Sequence, residues 1–126
     1  MAMVLDASAL LTLMHDEPGA DRVEAALVGA RVSAVNWAEV VQKALWLEVD
    51  STWLREGIID VGVVVEPFTV DQAEAAAHLW RRTRSHGLSL ADRACLALAQ
   101  DYQCPVLTAD RAWHALDVGL EIELLR

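Results

Sequence analysis

The chain has 126 residues, 55% of them hydrophobic, and a formal net charge of −9. This length and apolar content suit one domain, spanning residues 1–126, with a core of its own. The negative charge argues against a generally basic nucleic-acid-binding surface, so chemistry on a polyanion would need bound cations or local arginine clusters.

The start of the chain and the two cysteines indicate the compartment. The apolar start meets Asp6 at once and lacks a basic flank or a cleavage pattern, so no signal peptide is expected. No stretch is apolar enough to span a membrane, and Cys95 and Cys104 are expected to be free thiols. These features predict a cytoplasmic protein, and they leave open whether Met1 or Met3 is the native start.

Short apolar runs, which predict strands, alternate with longer stripes at helical spacing. In chain order we predict strand 4–5, helices 7–14 and 20–27, strand 31–34, helices 37–45 and 53–57, strand 61–65, helices 70–80 and 91–102, strand 105–108, helix 110–116 and strand 121–125. Strands alternating with helices indicate an α/β fold: a three-layer α/β/α sandwich with a mostly parallel sheet of about five strands.

Four acidic residues fall where predicted strands lead into helices. Asp6 follows the first strand directly, and Asp110 follows the strand that ends at Thr108. Glu39 opens the helix after the second strand, and Asp92 lies in the first turn of the helix that begins near residue 90. Since ligand sites in open α/β sheets form beyond the carboxyl ends of the strands, we predict that these acids meet at one site.

Each acid also has a purely structural explanation. Asp6 and Asp110 are suitable N-caps, and Ser89 with Asp92 matches a capping box, a pattern that Asn36 and Glu39 also fit. Glu39 precedes Lys43 by four residues, as in an ordinary surface ion pair. For one acid alone the structural interpretation is favoured, whereas four on one sheet edge favour a functional site.

Clustered carboxylates repel one another unless a cation compensates their charge. Mg²⁺ and Mn²⁺ prefer oxygen ligands, activate bound water and offset the charge that builds on a phosphate. The cluster therefore predicts metal-dependent phosphodiester hydrolysis.

Other kinds of site lack their patterns in this sequence. There is no glycine-rich phosphate loop, and Ser8 and Ser33 lack a nucleophile-elbow context. The four histidines show no zinc-ligand spacing; they are His15, His78, His86 and His114.

Four segments together carry a resemblance to a known family. They are Val4-Leu5-Asp6-Ala7-Ser8, Asn36-Trp37-Ala38-Glu39, Leu88-Ser89-Leu90-Ala91-Asp92 and Leu107-Thr108-Ala109-Asp110-Arg111. Their order and spacing resemble the PIN-domain ribonucleases and, within them, the short VapC-type toxins of toxin–antitoxin systems. The likeness covers nearly the whole chain and rests on the combination, because no single motif is specific.

The resemblance implies a role for each matched position. Asp6, Asp92 and Asp110 would bind Mg²⁺ or Mn²⁺, and Glu39 would act as a ligand or through metal-bound water. The implied supporting residues are Ser8, Asn36 and Thr108. The implied activity is cleavage of single-stranded or looped RNA, and whether one or two metal ions bind stays open.

The resemblance also implies a cognate antitoxin protein, whose basic side chain would block the acidic site, and a homodimer. Trp37 and Trp80 lie on stripes predicted to face the core. Trp46 and Trp53 are interpreted as additional core, with a partner interface as the alternative.

Arg81, Arg82 and Arg84, here called the arginine cluster, form the densest basic run together with His86. One interpretation is a solvated helix end, where arginine is favoured by the helix dipole. The other is contact with RNA phosphates near the acidic site.

Three alternative functions remain to be weighed. A catalytically silent PIN-like scaffold would bind RNA or protein, but it would be expected to have lost some of the four acids. A phosphoacceptor receiver domain needs an acidic pair after the first strand, where only Asp6 stands. A metal-dependent phosphatase would have a second aspartate at the position of Ser8.

Overall fold

A computed structural model describes residues 2–126. The question of the native start concerns Met1, which lies outside the described residues. Five short strands form one parallel sheet in the order β3-β2-β1-β4-β5. The strands are β1 (Val4–Leu5), β2 (Arg31–Ser33), β3 (Val64–Glu66), β4 (Val106–Thr108) and β5 (Ile122–Leu124).

Six α-helices connect the strands. They are α1 (Ala7–Met14), α2 (Ala20–Ala26), α3 (Ala34–Trp46), α4 (Ser51–Asp60), α5 (Val70–Thr83) and α6 (Leu90–Tyr102). Two short 3₁₀ segments follow α5 and β4, at Arg84–His86 and Arg111–Ala115. Within residues 2–126 no helix is both long and apolar enough to cross a membrane.

The helices cover both faces of the sheet, which confirms the predicted α/β/α sandwich. Successive strand residues point to opposite faces, so Leu5 and Leu107 join a core cluster with helices α1 to α4. Val4 and Val106 join the other cluster, which α5 and α6 complete. Both faces of the central strands β1 and β4 are therefore buried, and Val4, Leu5, Val106 and Leu107 form an unbroken apolar run in each strand rather than an alternating pattern.

The order in which the chain adds strands to the sheet reverses between β1 and β4, while all five strands stay parallel. The chain builds β1, β2 and β3 towards one edge, then crosses back and adds β4 and β5 on the other side of β1. Crossover connections between parallel strands are right-handed whichever way the strands are added. The helices that follow the reversal therefore cover the opposite face of the sheet. The reversal opens a crevice beyond the carboxyl ends of β1 and β4, where Asp6 and Asp110 stand.

Several predicted boundaries were wrong. The predicted strand 61–65 begins only at Val64, because the residues before it form the turn in which Val63 N–H donates to Ile58 O. Helix α4 runs to Asp60 and passes through Gly57 instead of ending there. Asn36 does not cap α3, because Ser33 does so and accepts the Val35 N–H at 3.2 Å.

The prediction for the tryptophans was also largely wrong. Trp80 is 49% exposed and Val70 75% exposed, because α5 buries a different stripe of Gln72, Ala76, Leu79 and Thr83. Trp46 and Trp53 are exposed rather than additional core. Trp37 is partly buried against the core as predicted, and the fully buried tryptophan is Trp113.

Candidate active site

Asp6 lies deepest in the crevice and is buried. It ends β1 and caps α1, where its Oδ1 accepts the backbone N–H of Ala9 at 2.9 Å. The same oxygen accepts the Ser8 hydroxyl at 2.7 Å, and Oδ2 accepts the Thr108 hydroxyl at 2.6 Å. Two donors from α1 and one from the end of β4 thus hold this carboxylate in one orientation.

Ser8 and Thr108 connect β1 to β4 around Asp6. Ser8 Oγ accepts the backbone N–H of Ala109 at 2.9 Å and lies 3.2 Å from Thr108 Oγ1. Thr108 Oγ1 accepts the backbone N–H of Asp110 at 3.0 Å. The two hydroxyls therefore set the distance between the strand ends that carry Asp6 and Asp110.

Asp92 and Asp110 both use their side chains to begin a helix. Asp92 forms a capping box with Ser89, in which Asp92 Oδ2 accepts the Ser89 N–H at 2.9 Å and Ser89 Oγ accepts the Asp92 N–H at 3.2 Å. Asp110 Oδ1 accepts the N–H of Ala112 at 3.0 Å. The capping explanations predicted for Asp6, Asp92 and Asp110 are thus all realised, and each cap leaves part of its carboxylate for another partner.

Glu39 is positioned by the buried amide of Asn36. Asn36 Nδ2 donates to Glu39 Oε1 at 3.1 Å and to the backbone carbonyl of Ala91 at 3.0 Å. The amide thereby ties the first turns of α3 to the start of α6, where Asp92 lies.

The four acids line one open pocket of about 570 Å³, here called the acidic pocket. Asp6 forms its buried base, Asp92 is half-buried, and Glu39 and Asp110 lie at its exposed rim. The other lining residues are Ala7, Ser8, Leu11, Gln42, Lys43 and Trp46.

Burial raises the pKa of Asp6 from 3.8 to about 6. The hydrogen bonds from Thr108, Ser8 and the Ala9 N–H lower this pKa, and the charge of Asp92 raises it further. Burial also raises the pKa of the Cys95 thiol, with smaller contributions from the charges of Asp6, Asp92 and Glu39. Cys95 and Cys104 are free, as predicted.

The donor set of the acidic pocket fits a hard divalent cation. All four acids offer carboxylate oxygen, and the raised pKa of Asp6 reports a charge that burial leaves uncompensated. Within residues 2–126 no three His, Cys, Asp or Glu side chains are grouped closely enough to hold a metal ion by themselves. Such a pocket suits Mg²⁺ or Mn²⁺, which keep several waters and need few direct protein ligands.

The arginine cluster lies outside the lining of the acidic pocket. Its three side chains are exposed at the end of α5 and in the following 3₁₀ turn. Arg84 stacks over the Trp80 ring at 5.1 Å from its centroid. The turn and the loop after it lead directly to Ser89 and α6.

Three of the pocket residues that the sequence did not predict lie on α3: Gln42, Lys43 and Trp46. All three follow Glu39 on α3, at three, four and seven residues. That spacing places them on the face of the helix that carries Glu39, so the prediction of Glu39 already contained the signal for them.

The sequence of the chain is similar to those of known proteins. The sequence model of the PIN domain family matches residues 3–119. The chain is 29% identical to ribonuclease VapC30 of Mycobacterium tuberculosis, in an alignment that covers 93% of this chain and 96% of that protein.

Solved structures show the same fold. A toxin–antitoxin complex from Klebsiella pneumoniae contains a chain with a TM-score of 0.79 and 20% identity, covering 98% of each chain. The DNA-bound VapBC complex of Salmonella typhimurium contains one with a TM-score of 0.74 and 16% identity, covering 100% of this chain and 99% of that one. With nine-tenths of its length matched by the family model, the chain belongs to the PIN domain family.

Proposed function

We propose that this protein is a metal-dependent endoribonuclease and the toxin of a toxin–antitoxin pair. The observation that supports the proposal is the acidic pocket, which is lined by carboxylates from four separate segments at the point where the strand order of the sheet reverses. The similarity of nearly the whole chain to ribonuclease VapC30 supports an RNA substrate.

Asp6, Asp92 and Asp110 are the residues that would hold Mg²⁺ or Mn²⁺, in part through the waters that such an ion keeps. The bound cation would supply an activated water and offset charge on the phosphate. Asn36 occupies Glu39 Oε1, so Oε2 is the oxygen able to accept a proton from the attacking water. Ser8 and Thr108 both donate hydrogen bonds to Asp6, and their role would be to hold its carboxylate in place.

A protein partner is the second part of the proposal. Exposed apolar side chains stand at the end of α3 and on α4, namely Leu45, Leu47 and Ile59. The structural relatives from K. pneumoniae and S. typhimurium are components of toxin–antitoxin complexes. A basic antitoxin segment would complement the −9 charge and the acidic pocket, and so would compete with the cation and the RNA.

The proposal is tested by cleavage of a structured RNA pool with purified, antitoxin-free protein in Mg²⁺, in Mn²⁺ or in EDTA. We expect cutting with either metal, none in EDTA, and none by Asp6→Ala. Asp117→Asn removes an exposed aspartate outside the acidic pocket and is the matched control, expected to cut normally.

Two results would contradict the nuclease proposal. Folded, metal-loaded protein that binds RNA without cutting any of the pool would identify a binding scaffold. Cutting that persists in Asp6→Ala or in EDTA would come from a contaminating nuclease or from another site.

A further inference from the structure

One face of α3 forms a wall of the acidic pocket. Its residues Glu39, Gln42, Lys43 and Trp46, here called the α3 stripe, all line the pocket. At 1.5 Å of rise per residue, Trp46 lies about 10 Å along the helix axis from Glu39. Along that distance the wall changes from an acid to a cation and then to an aromatic ring.

Lys43 is the single cation among the ten residues that line the pocket and the single lysine of the chain. Its ammonium forms no ion pair with any carboxylate of residues 2–126, including Glu39. It lies 4.4 Å from the centroid of the Trp46 ring. A positive charge in an otherwise acidic pocket, left without an internal partner, is available to an anionic ligand.

Trp46 is 74% exposed, although it lines the pocket. Lys43 covers one face of its ring, so the exposure belongs largely to the rest of the indole. A large aromatic side chain held open to solvent beside a site makes a stacking surface. Proteins that bind single-stranded nucleic acid combine such a surface with a nearby cation that follows the backbone.

Resting on the proposed nuclease function, we propose that the α3 stripe binds an unpaired nucleotide next to the scissile phosphate. Lys43 contacts the phosphate of that nucleotide, and its base stacks on Trp46. A paired base is already stacked in its duplex and cannot lie against the ring. The α3 stripe would thereby account for the single-stranded or looped RNA substrate that the family resemblance implies.

Charge favours RNA over a protein segment as the occupant of this wall. At the α3 stripe Lys43 attracts a phosphate and repels a basic side chain, so a basic partner segment would reach the four acids without lying on this wall. The exposed Trp53 offers an internal comparison, because it is also a surface tryptophan but lies outside the acidic pocket.

The test measures kcat and KM on short synthetic RNAs, each presented single-stranded or annealed to its complement. We expect the protein to cut the single strands in preference to the duplexes. Trp46→Ala should raise KM for the single strands about ten-fold or more, as expected for the loss of one stacked base. The value of kcat should change little, because stacking away from the reacting atoms contributes to uniform binding.

Matched variants separate stacking from folding and from protein binding. Trp46→Phe should restore most of the affinity, Trp53→Ala should leave KM unchanged, and Lys43→Gln should raise KM and weaken its dependence on salt. A thermal melt of each variant checks the fold.

If the wild-type protein cuts RNA and Trp46→Ala cuts it with the same KM, the inference is wrong and Trp46 belongs to a protein-binding surface. Equal rates on single strands and duplexes would also overturn it. If the wild-type protein neither cuts nor binds RNA, the proposed function itself fails, and this inference with it.

Discussion

Asp6 shows at the scale of one residue how a site is kept at a cost in stability. Its pKa is raised from 3.8 to about 6 by burial, so the folded protein binds the proton more tightly than the unfolded chain does. The contribution to stability is full below pH 3.8 and is lost as the pH rises towards 6. At neutral pH the ionised Asp6 costs roughly 3 kcal/mol, from about two pKa units at 1.36 kcal/mol each.

Asp6→Asn should therefore stabilise the metal-free protein at pH 7. Asparagine keeps the cap on α1 but carries no charge to bury. Urea unfolding in EDTA between pH 3.5 and 7.5 should show the wild type losing stability from about pH 4 to 6, with the variant nearly flat in that window. A variant less stable than the wild type at pH 7 would contradict this account.

The hydroxyl of Thr108 is expected to stabilise the fold. Its buried hydroxyl donates to Asp6 Oδ2 and accepts the N–H of Asp110. Thr108→Val keeps the shape but leaves both partners unpaired, which should lower the free energy of unfolding by roughly 1–3 kcal/mol. Thr52→Val, at an exposed position on α4, should change it little. Equal losses in the two variants would show that the Thr108 hydroxyl is not needed.

At the scale of elements, the positions of the acids could be predicted while some helix faces could not. Asp6, Asp92 and Asp110 follow short apolar runs or a recognisable cap pattern, and both signals are local. The buried face predicted for α5 was wrong because this helix is rich in alanine, which is compatible with burial on either side. Ala73 and Ala77 lie on the predicted face, and Ala76 lies on the face that is buried. The choice was made by tertiary contact, since Leu79 packs in the core cluster with α6.

The pocket wall on α3 was missed for a different reason. In the sequence, Lys43 was interpreted as the partner of Glu39 in a surface ion pair, and Trp46 as an additional core residue. The prediction of Glu39 as a site residue implied that residues three, four and seven positions further on share its side of the helix. Helical spacing alone does not show how far along α3 the pocket extends, and the structure shows that it reaches Trp46.

The arginine cluster at the end of α5 is expected to bind RNA. Arg81→Glu and Arg84→Glu, singly and together, should weaken RNA binding and reduce its dependence on salt, because each reversal removes a cation that phosphates could contact. Metal binding should be unchanged, since neither arginine lines the acidic pocket. Arg55→Glu makes the same change of charge on α4 and is the control. Unchanged RNA affinity would leave the arginine cluster as a solvated helix end.

The whole molecule must reconcile a −9 charge with a polyanionic substrate. The four pocket acids account for a concentrated part of that charge, and they come together only when the sheet forms. A divalent cation should therefore bind the folded chain far better than the unfolded one. Binding and folding would then be linked, and the metal would stabilise the fold.

Mg²⁺ or Mn²⁺ at about one hundred times its dissociation constant should add roughly 2.7 kcal/mol to the stability of the wild type. For a chain of this size that corresponds to a rise in Tm on the order of 10 °C. NaCl at equal ionic strength should give a much smaller rise, since it only screens charge. Asp6→Asn should lose most of the metal effect, and Asp117→Asn should keep it. If NaCl reproduced the full rise, the stabilisation would come from screening of the whole surface, and the acidic pocket would not be a metal site.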